Sequence, residues 1–388
     1  MATIPLDIIH NGILPRLPAK SLVRFKCVSK LWLALISSHE FIHRHLSHAN
    51  TLSTNDLLIL TGYNSCLYSF NLDYPADPAV KLPYLGTEPV VVGCCNGLLC
   101  IQSHRPYCLA LLNPSTGSYR NIPSLLPPRR CPALNFGFGY DSINDDYKVV
   151  RIADRYPSFG FLGHQMDRIV HVYSLSANSW ELIELTSPQS SMGDRENGAV
   201  VNNNLLHWKF WCSLQGNYRI CCFNLSKKQW THDVPLPDFL DVGSNSHSDN
   251  DKTPIQDEVL DFGALDGRLY LSIKNQQQSA IDIWLMNEYG VKESWIRSCR
   301  ISNSRVFRSL RVSPIVYRSV KHQILLRTVD KTEHQILWYD IQSESAENAE
   351  VNGVLDYIRI VVSKGSLVNV PGGFQIGRTD EKDEKEVH

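Results

Sequence analysis

Apolar positions follow two different rhythms along this chain, and the change between them falls near residue 50. Over residues 1–48, Leu22, Phe25, Val28, Trp32 and Leu35/Ile36 recur at three- and four-residue spacing, which predicts a continuous stripe on one helical face. A shorter stripe of Leu6, Ile9 and Ile13 precedes it. Pro5 suits the opening of that first helix and Asp7 its first turn. Gly12 and Pro15 predict its end at about Leu14, because proline interferes with the turn before it. From about Asp56 the texture is short runs of β-branched and aromatic residues such as "DLLILTG", "GLLCIQ", "YKVVRIA", "RLYLSIK" and "HQILLRTV". Gly, Asn, Asp and Pro punctuate them, so this part reads as many short strands joined by turns.

The strand region carries a weak internal echo. A turn and strand, as in "CNGLLCI" (95–101), "NNLLHW" (203–208) or "LDGRLYL" (265–271), precedes a second strand ending in a polar turn, as in "LALLNPSTGSYRNIP", "HVYSLSANSW", "CFNLSKKQW" and "LWYDIQSES". The spacing, roughly 40 to 60 residues, is that of kelch and related propeller blades. Each unit cannot cover its own apolar face, so packing neighbouring units together is the natural solution. A β-sandwich with similar hairpins is the alternative. Trp180, Trp208, Trp230, Trp284 and Trp295 recur in these units and are expected to pack between them. The fold expected is a small all-α N-terminal segment (1–48), a large all-β, β-propeller-like (kelch-related) domain (49–370) and a charged tail (371–388).

Composition narrows the partners rather than the fold. With 43% hydrophobic and 20% charged residues and a formal net charge of -1, no overall pull toward nucleic acid is expected. Eleven cysteines show no Cys-x-x-Cys or Cys/His spacing and read as reduced, mostly buried thiols of the cytoplasm and nucleus. "MATIPLDIIHNG" lacks the form of a secretory signal, and no apolar stretch approaches the roughly 20 residues a membrane span needs. "GFGYDS" lacks the third glycine and following helix of a dinucleotide loop, and reads as a strand entering a turn at Asp141 to Asp146. His39, His43, His45 and His48 read as a solvated helix end rather than a metal site. No nucleophile–base motif stands out, so neither catalysis nor a cofactor is expected.

The segment 1–48 remains to be explained. Ile4, Leu6, Ile8, Ile9, Ile13, Leu14, Leu17, Leu22, Val23, Phe25, Val28, Leu31, Trp32, Leu33, Leu35 and Ile36 are too many apolar side chains for two or three short helices to hide. An anionic membrane surface would suit the interspersed lysines and arginines, but Pro5, Pro15 and Pro18 break the segment and its apolar residues circle the helix. "LPAKSLVRFKCVSKLW" and "LISSHEFIHRHL", opened by Ile4-Pro5, resemble the F-box of plant F-box proteins. "LNPSTGSYRNIP", "FGFGYDSINDDYKVVRI", "LDGRLYL" and "IDIWLMNEYGVKESW" resemble the F-box-associated domain of the same family. The opening is most similar to the subgroup named for constitutive expression of pathogenesis-related genes, and pollen S-locus F-box proteins, which recognise ribonucleases, share the architecture.

This resemblance implies a non-catalytic, substrate-recognition subunit of an SCF ubiquitin ligase, bound to a Skp-type adaptor and through it to cullin. It implies adaptor contacts at Ile4, Pro5, Leu6, Ile9, Ile13, Leu17, Pro18, Leu22, Val23 and Val28. Trp32, Leu35 and Ile36 are assigned to the core, and Phe25 to either. The subgroup implies a protein target, such as a nucleotide-binding leucine-rich-repeat immune receptor. Gly12 and Pro15 depart from the family's helix formers and imply weaker adaptor binding. Candidate target-binding connections are 154–168, 186–197 and 241–258, the first carrying Tyr156, Phe159, Phe161 and Leu162. Two rival classes share parts of the pattern: a kelch-type propeller enzyme related to galactose oxidases, and a propeller scaffold that does not promote degradation.

Overall fold

The computed structural model describes residues 5, 7–51, 56–62, 65–84, 86–104, 107–125, 134–155, 167–183, 191–192, 198–201, 204–212, 217–231, 233–240, 258–318, 321–330, 333–349, 351 and 357–375. The chain divides into two compact units, Met1–Ser124 with Val351–His388, and Leu125–Glu350.

The first unit opens with helical turns that differ from the two predicted stripes. The first stripe forms a wide π-type turn, Ile8–Ile13, followed by a tight 3-10 turn, Leu14–Arg16, with Pro15 near its start. The Leu14 amide reaches back to the Ile9 carbonyl, one residue further than in an α-helix. Pro15 has no N–H to offer, so the geometry changes there instead of continuing. The second stripe is not continuous: α1 (Ala19–Phe25) and α2 (Lys30–Ser37) are separated by a turn. Pro18 sits just before α1, where its missing N–H is harmless. Ser29 caps α2, its Oγ accepting from the Trp32 amide at 3.2 Å. Ser38 ends α2 and caps α3 (His39–Thr51), with Oγ accepting from the Phe41 amide at 3.3 Å.

Strands follow in six antiparallel sheets. Sheet 1 combines Asp56–Gly62, Leu67–Asn71 and Val80–Lys81 with the distant Tyr357–Lys364, which pairs along Asp56–Gly62. Sheet 2 is Val90–Cys95, Leu98–His104, Tyr107–Leu112 and Ser118–Ile122, with Phe374–Gln375 added at its edge. Both sheets belong to the first unit, and they share a core in which Leu57 and Ile59 meet Leu99, Ile101, Ala110 and Tyr119. In the second unit, sheet 3 runs Leu134–Asp141, Asp146–Arg155, Asp167–Ser174, Ser179–Ile183, and sheet 4 is built on Leu205–Cys212 and Asn217–Asn224. Sheet 5 is Glu258–Leu265, Arg268–Asn275, Ala280–Met286, Trp295–Ile301; sheet 6 is Arg311–Arg318, Gln323–Val329, His334–Asp340, Ser345–Asn348. Neighbouring sheets again share cores: Val150 and Val172 with Leu206 and Trp208, Cys222 with Leu271 and Trp295, and Ile283 with Leu326 and Tyr339. Six successive sheets overturn the sandwich alternative. Trp208 and Trp295 are buried as expected, and Trp180, Trp230 and Trp284 are half-buried.

The echo in the sequence has a chemical basis in one recurring turn. Between third and fourth strands, the side chain of Asn113, Ser174, Asn224 or Asp340 accepts an amide two or three residues ahead, at 2.8–3.1 Å. Four residues on, Gly117, Asn178, Lys228 and Glu344 adopt a positive φ that reverses the chain. "GFGYDS" is indeed strand and turn. Gly137 faces the Trp208 ring so closely that a Cβ would come within 2.7 Å of it, which explains the glycine without a nucleotide.

Candidate functional site

The helical segment builds a core of Leu14, Ala19, Leu22, Ile36, Phe41 and the far-off Leu367, all buried. Ile9, Leu17, Val23, Phe25, Trp32, Leu35 and Ile42 pack around it half-buried, with the Phe25 and Trp32 rings edge-on at 5.6 Å. His45 is buried and not solvated as expected; its Nε2 lies 3.0 Å from the Leu17 carbonyl, which ties the Leu17-Pro18 corner to α3. Burial pushes the His45 imidazole below its usual range, although the Leu17 carbonyl opposes that shift, so it acts as a neutral donor. His39 and His43 lie on the exposed face of α3, with Nε2 atoms 3.0 Å apart. Arg44 joins Glu40 and the Asn11 side chain, each at 2.5 Å, and so fixes the π-type turn against α3.

With that core satisfied, a set of large apolar side chains still faces water. Val28 is 63% exposed and Leu31 59%; Ile8, Ile13 and Leu33 are also exposed, and Pro5 is open. The predicted contacts therefore sort into three groups. Pro5, Ile13 and Val28 are exposed; Ile9, Leu17, Pro18 and Val23 are half-buried; Leu22 is wholly buried. Leu22 belongs to the core of the free chain, since helical spacing marks an apolar face without saying what covers it. Ile4 and Leu6 lie outside the described residues. Ile8, Leu31 and Leu33 are exposed apolar residues that the spacing argument did not select. Their signal was available: Leu31 and Leu33 fall off the Trp32–Leu35–Ile36 face, where an apolar residue has no internal partner.

The sheets present two unlike ends. Because consecutive strands alternate in direction, first-to-second and third-to-fourth connections leave one end of a sheet, and second-to-third and sheet-to-sheet connections leave the other. The first end holds mostly tight turns, such as 96–97, 142–145, 266–267 and 341–344, with eight-residue connections at 72–79 and 287–294. The second end carries the long connections, including 123–133, 156–166 and 231–257. All three predicted target-binding connections leave from this second end. Tyr156, Phe159, Phe161 and Leu162 lie outside the described residues, as do 184–190, 193–197 and 241–257.

Burial pushes Cys94 up to about 11 and Cys299 up to about 12, so both stay protonated near neutrality. Among the described residues no helix is long and apolar enough to cross a membrane.

Residues 4–44 match the F-box domain family, and residues 57–369 match the F-box associated beta propeller domain family. The chain belongs to the F-box proteins. It is 34% identical over 369 residues to F-box protein CPR1 of Arabidopsis thaliana, covering 90% of this chain and 85% of that one. It is 29% identical over 370 residues to F-box protein At4g22390 of the same plant, covering 90% and 87%. F-box/kelch-repeat protein At3g23880, also from Arabidopsis thaliana, is 27% identical over 309 residues, covering 75% and 78%. In this F-box protein the six sheets are the blades of a six-bladed β-propeller. An F-box followed by such a propeller implies the substrate-receptor role of an SCF ubiquitin ligase, and members of the family are generally non-catalytic adaptors.

Proposed function

We propose that this F-box protein docks on a Skp-type adaptor, and through it on cullin, and holds a protein target near the ubiquitin-loaded enzyme for transfer and proteasomal degradation. The carrying observation is the exposure of Val28 and Leu31 on a helical segment whose core is already filled by Leu22, Ile36, Phe41 and Leu367. Apolar groups left in water beside a complete core are best accounted for by a second polypeptide. The exposed set Ile8, Ile13, Val28, Leu31 and Leu33, with Pro5, is the contact surface, and half-buried Leu17 and Pro18 form its rim. Co-purification of the full chain with a Skp-type adaptor tests this; a wild-type chain that captures no adaptor refutes it.

The target binds at the long-connection ends of the sheets, with Tyr156, Phe159, Phe161 and Leu162 on the second-to-third connection of sheet 3. The resemblance of the opening residues to the subgroup named for constitutive expression of pathogenesis-related genes leads us to propose a nucleotide-binding leucine-rich-repeat immune receptor as the target class, met in the cytoplasm and nucleus. The chain contributes no bond chemistry; proximity makes the transfer effectively intramolecular. Replacing 154–168 with a neutral linker should stop target turnover while adaptor binding persists. Unchanged turnover would place recognition elsewhere.

A further inference from the structure

Tyr357–Lys364 completes sheet 1, yet the seven residues after it make contacts that a closing strand does not need. Gly365–Pro371 cross the tight-turn end of sheet 2 and enter the helical core, where Leu367 is 0% exposed among Leu14, Ala19, Leu22, Ile36 and Phe41. Sheet 2 grips both flanks of that leucine with one side chain. The buried Asn113 Nδ2 donates to the Ser366 carbonyl at 3.1 Å and the Val368 carbonyl at 2.6 Å, while its Oδ1 accepts the Ser115 amide at 2.8 Å. The Val370 amide donates to Ser118 Oγ at 3.1 Å, Arg120 donates to the Pro371 carbonyl, and Phe374 packs on Tyr119 at 5.5 Å. Even the first turn of the sheet is cut to fit. At Gly97 (φ +77°) a Cβ would fall 2.5 Å from Ser366 Oγ and 2.6 Å from the Lys364 carbonyl.

We propose that this strap is an integral part of the adaptor-docking domain, so that docking competence is conferred by residues made more than 300 positions after the F-box motif. The inference rests on the adaptor-docking reading above. A helical segment of about 45 residues buries too little apolar surface to stand alone, and a gap at Leu367 would open beside five of its buried residues. The same segment closes sheet 1 and completes the helical core, so the two events are coupled. A chain truncated before residue 365, or one whose first sheet has not closed, keeps the whole F-box motif but not its docking-competent packing. The coupling thus screens unfinished receptors from the ligase.

The test uses full-length Leu367→Asp, Leu367→Ala and Asn113→Ala, read by amide hydrogen exchange on the free chain and by titration with a purified Skp-type adaptor. Exchange protection over Ala19–Phe25 and Lys30–Ser37 should fall by about tenfold or more in Leu367→Ala, further in Leu367→Asp, with adaptor affinity falling alongside. Asn113→Ala, outside the helical core cluster and bonded to both flanks of Leu367, should move both readouts in the same direction. Sheets 5 and 6 should keep their protection; if Leu367→Asp unfolds them too, Leu367→Ala decides. Helices as protected as wild type in both Leu367 variants would overturn the proposal. A wild-type chain that binds no adaptor would instead sink the docking reading, while the exchange data still judged the strap.

Discussion

Replacing Val28 with aspartate separates docking from folding more cleanly than any other change on the helical surface. Val28 lies just after α1 and is 63% exposed, so the free chain loses almost no packing. Burying a whole valine is worth about 1.5–3 kcal/mol, so covering the exposed part contributes about 1–2 kcal/mol, or about 5- to 25-fold in affinity. Val28→Ala gives up two methyl groups, about 1 kcal/mol after scaling for exposure, and should weaken adaptor binding about fivefold. Val28→Asp loses the full term and adds an unpaired carboxylate that must shed water, a cost of several kcal/mol that should weaken binding more than about 100-fold. Isothermal titration with a purified Skp-type adaptor reads the affinity, and thermal melting checks the fold, where an exposed substitution should stay within about 0.5 kcal/mol of wild type. Leu22→Ala is the converse: a cavity in the core should cost about 2–5 kcal/mol of stability. Val28→Asp binding within twofold of wild type, with melting unchanged, would refute the assignment of this surface.

Three further predictions concern the sheets. Burial pushes the fully buried His207 down to about 4 from its ordinary 6.5, opposed only weakly by the Ala199 carbonyl. The folded chain then binds fewer protons than the unfolded one, so His207 costs nothing above pH 6.5 and costs stability as pH falls toward 4, a fall from 6.5 to about 4 being worth about 3 kcal/mol once complete. Denaturant titrations should show that slope, and His207→Gln, which has nothing to titrate, should reduce it by about the His207 share. Asp141 is also fully buried; burial alone would raise its carboxyl, but hydrogen bonds from Asn144, Lys148 and Ser226 outweigh it and hold the group well below the usual range. Its contribution is therefore complete above the ordinary carboxylate range and survives mild acid, so it adds no slope to the pH 4–6.5 window that His207 shares with His45 and His171, which burial also pushes down. Asp141→Ala strands the Lys148 ammonium with only the Leu225 carbonyl and should cost about 3–5 kcal/mol in urea unfolding. Gly97→Ala should lower the melting temperature, because a Cβ meets Ser366 and a backbone carbonyl at a positive φ; an unchanged melt would mean the strap yields there.

Local chemistry made the sheets legible and long-range chemistry did not. Short strands could be placed because Asn113, Asn224 and Asp340 open turns by capturing their own downstream amides, a property carried within five residues. The number of sheets was not legible, since sheet 1 is finished by Tyr357–Lys364 and pairing across some 300 residues leaves no periodic mark. In the F-box, apolar spacing found the helices but merged α1 with α2, although Ser29 was a ready cap for the second. It also set Leu22 and Val28 on one stripe. The helix ends at Phe25, and the turn after it sends Val28 out to solvent while Leu22 stays in the core. Leu367 was invisible as an F-box residue for the same reason as the closing strand: its partners are distant in sequence.

Under the proposed function, sheet 2 would keep the two binding tasks apart. Its tight-turn end, Asn96–Gly97 and 113–117, carries the strap and hence the helical segment, while its long connection, 123–133, leaves from the opposite end. The seven residues of Leu98–His104 between those ends span roughly 20 Å at about 3.3 Å per residue. Substitutions that far apart and without shared partners should act additively. Neutral replacements within 123–133 that weaken target capture should therefore leave adaptor affinity unchanged, and Val28→Asp should weaken adaptor binding without altering direct target capture by the isolated receptor. Measuring both affinities in both variants and in their combination decides the matter. Coupling well beyond about 0.5 kcal/mol would show that the ends communicate through the sheet, and a passive spacer would no longer describe this domain.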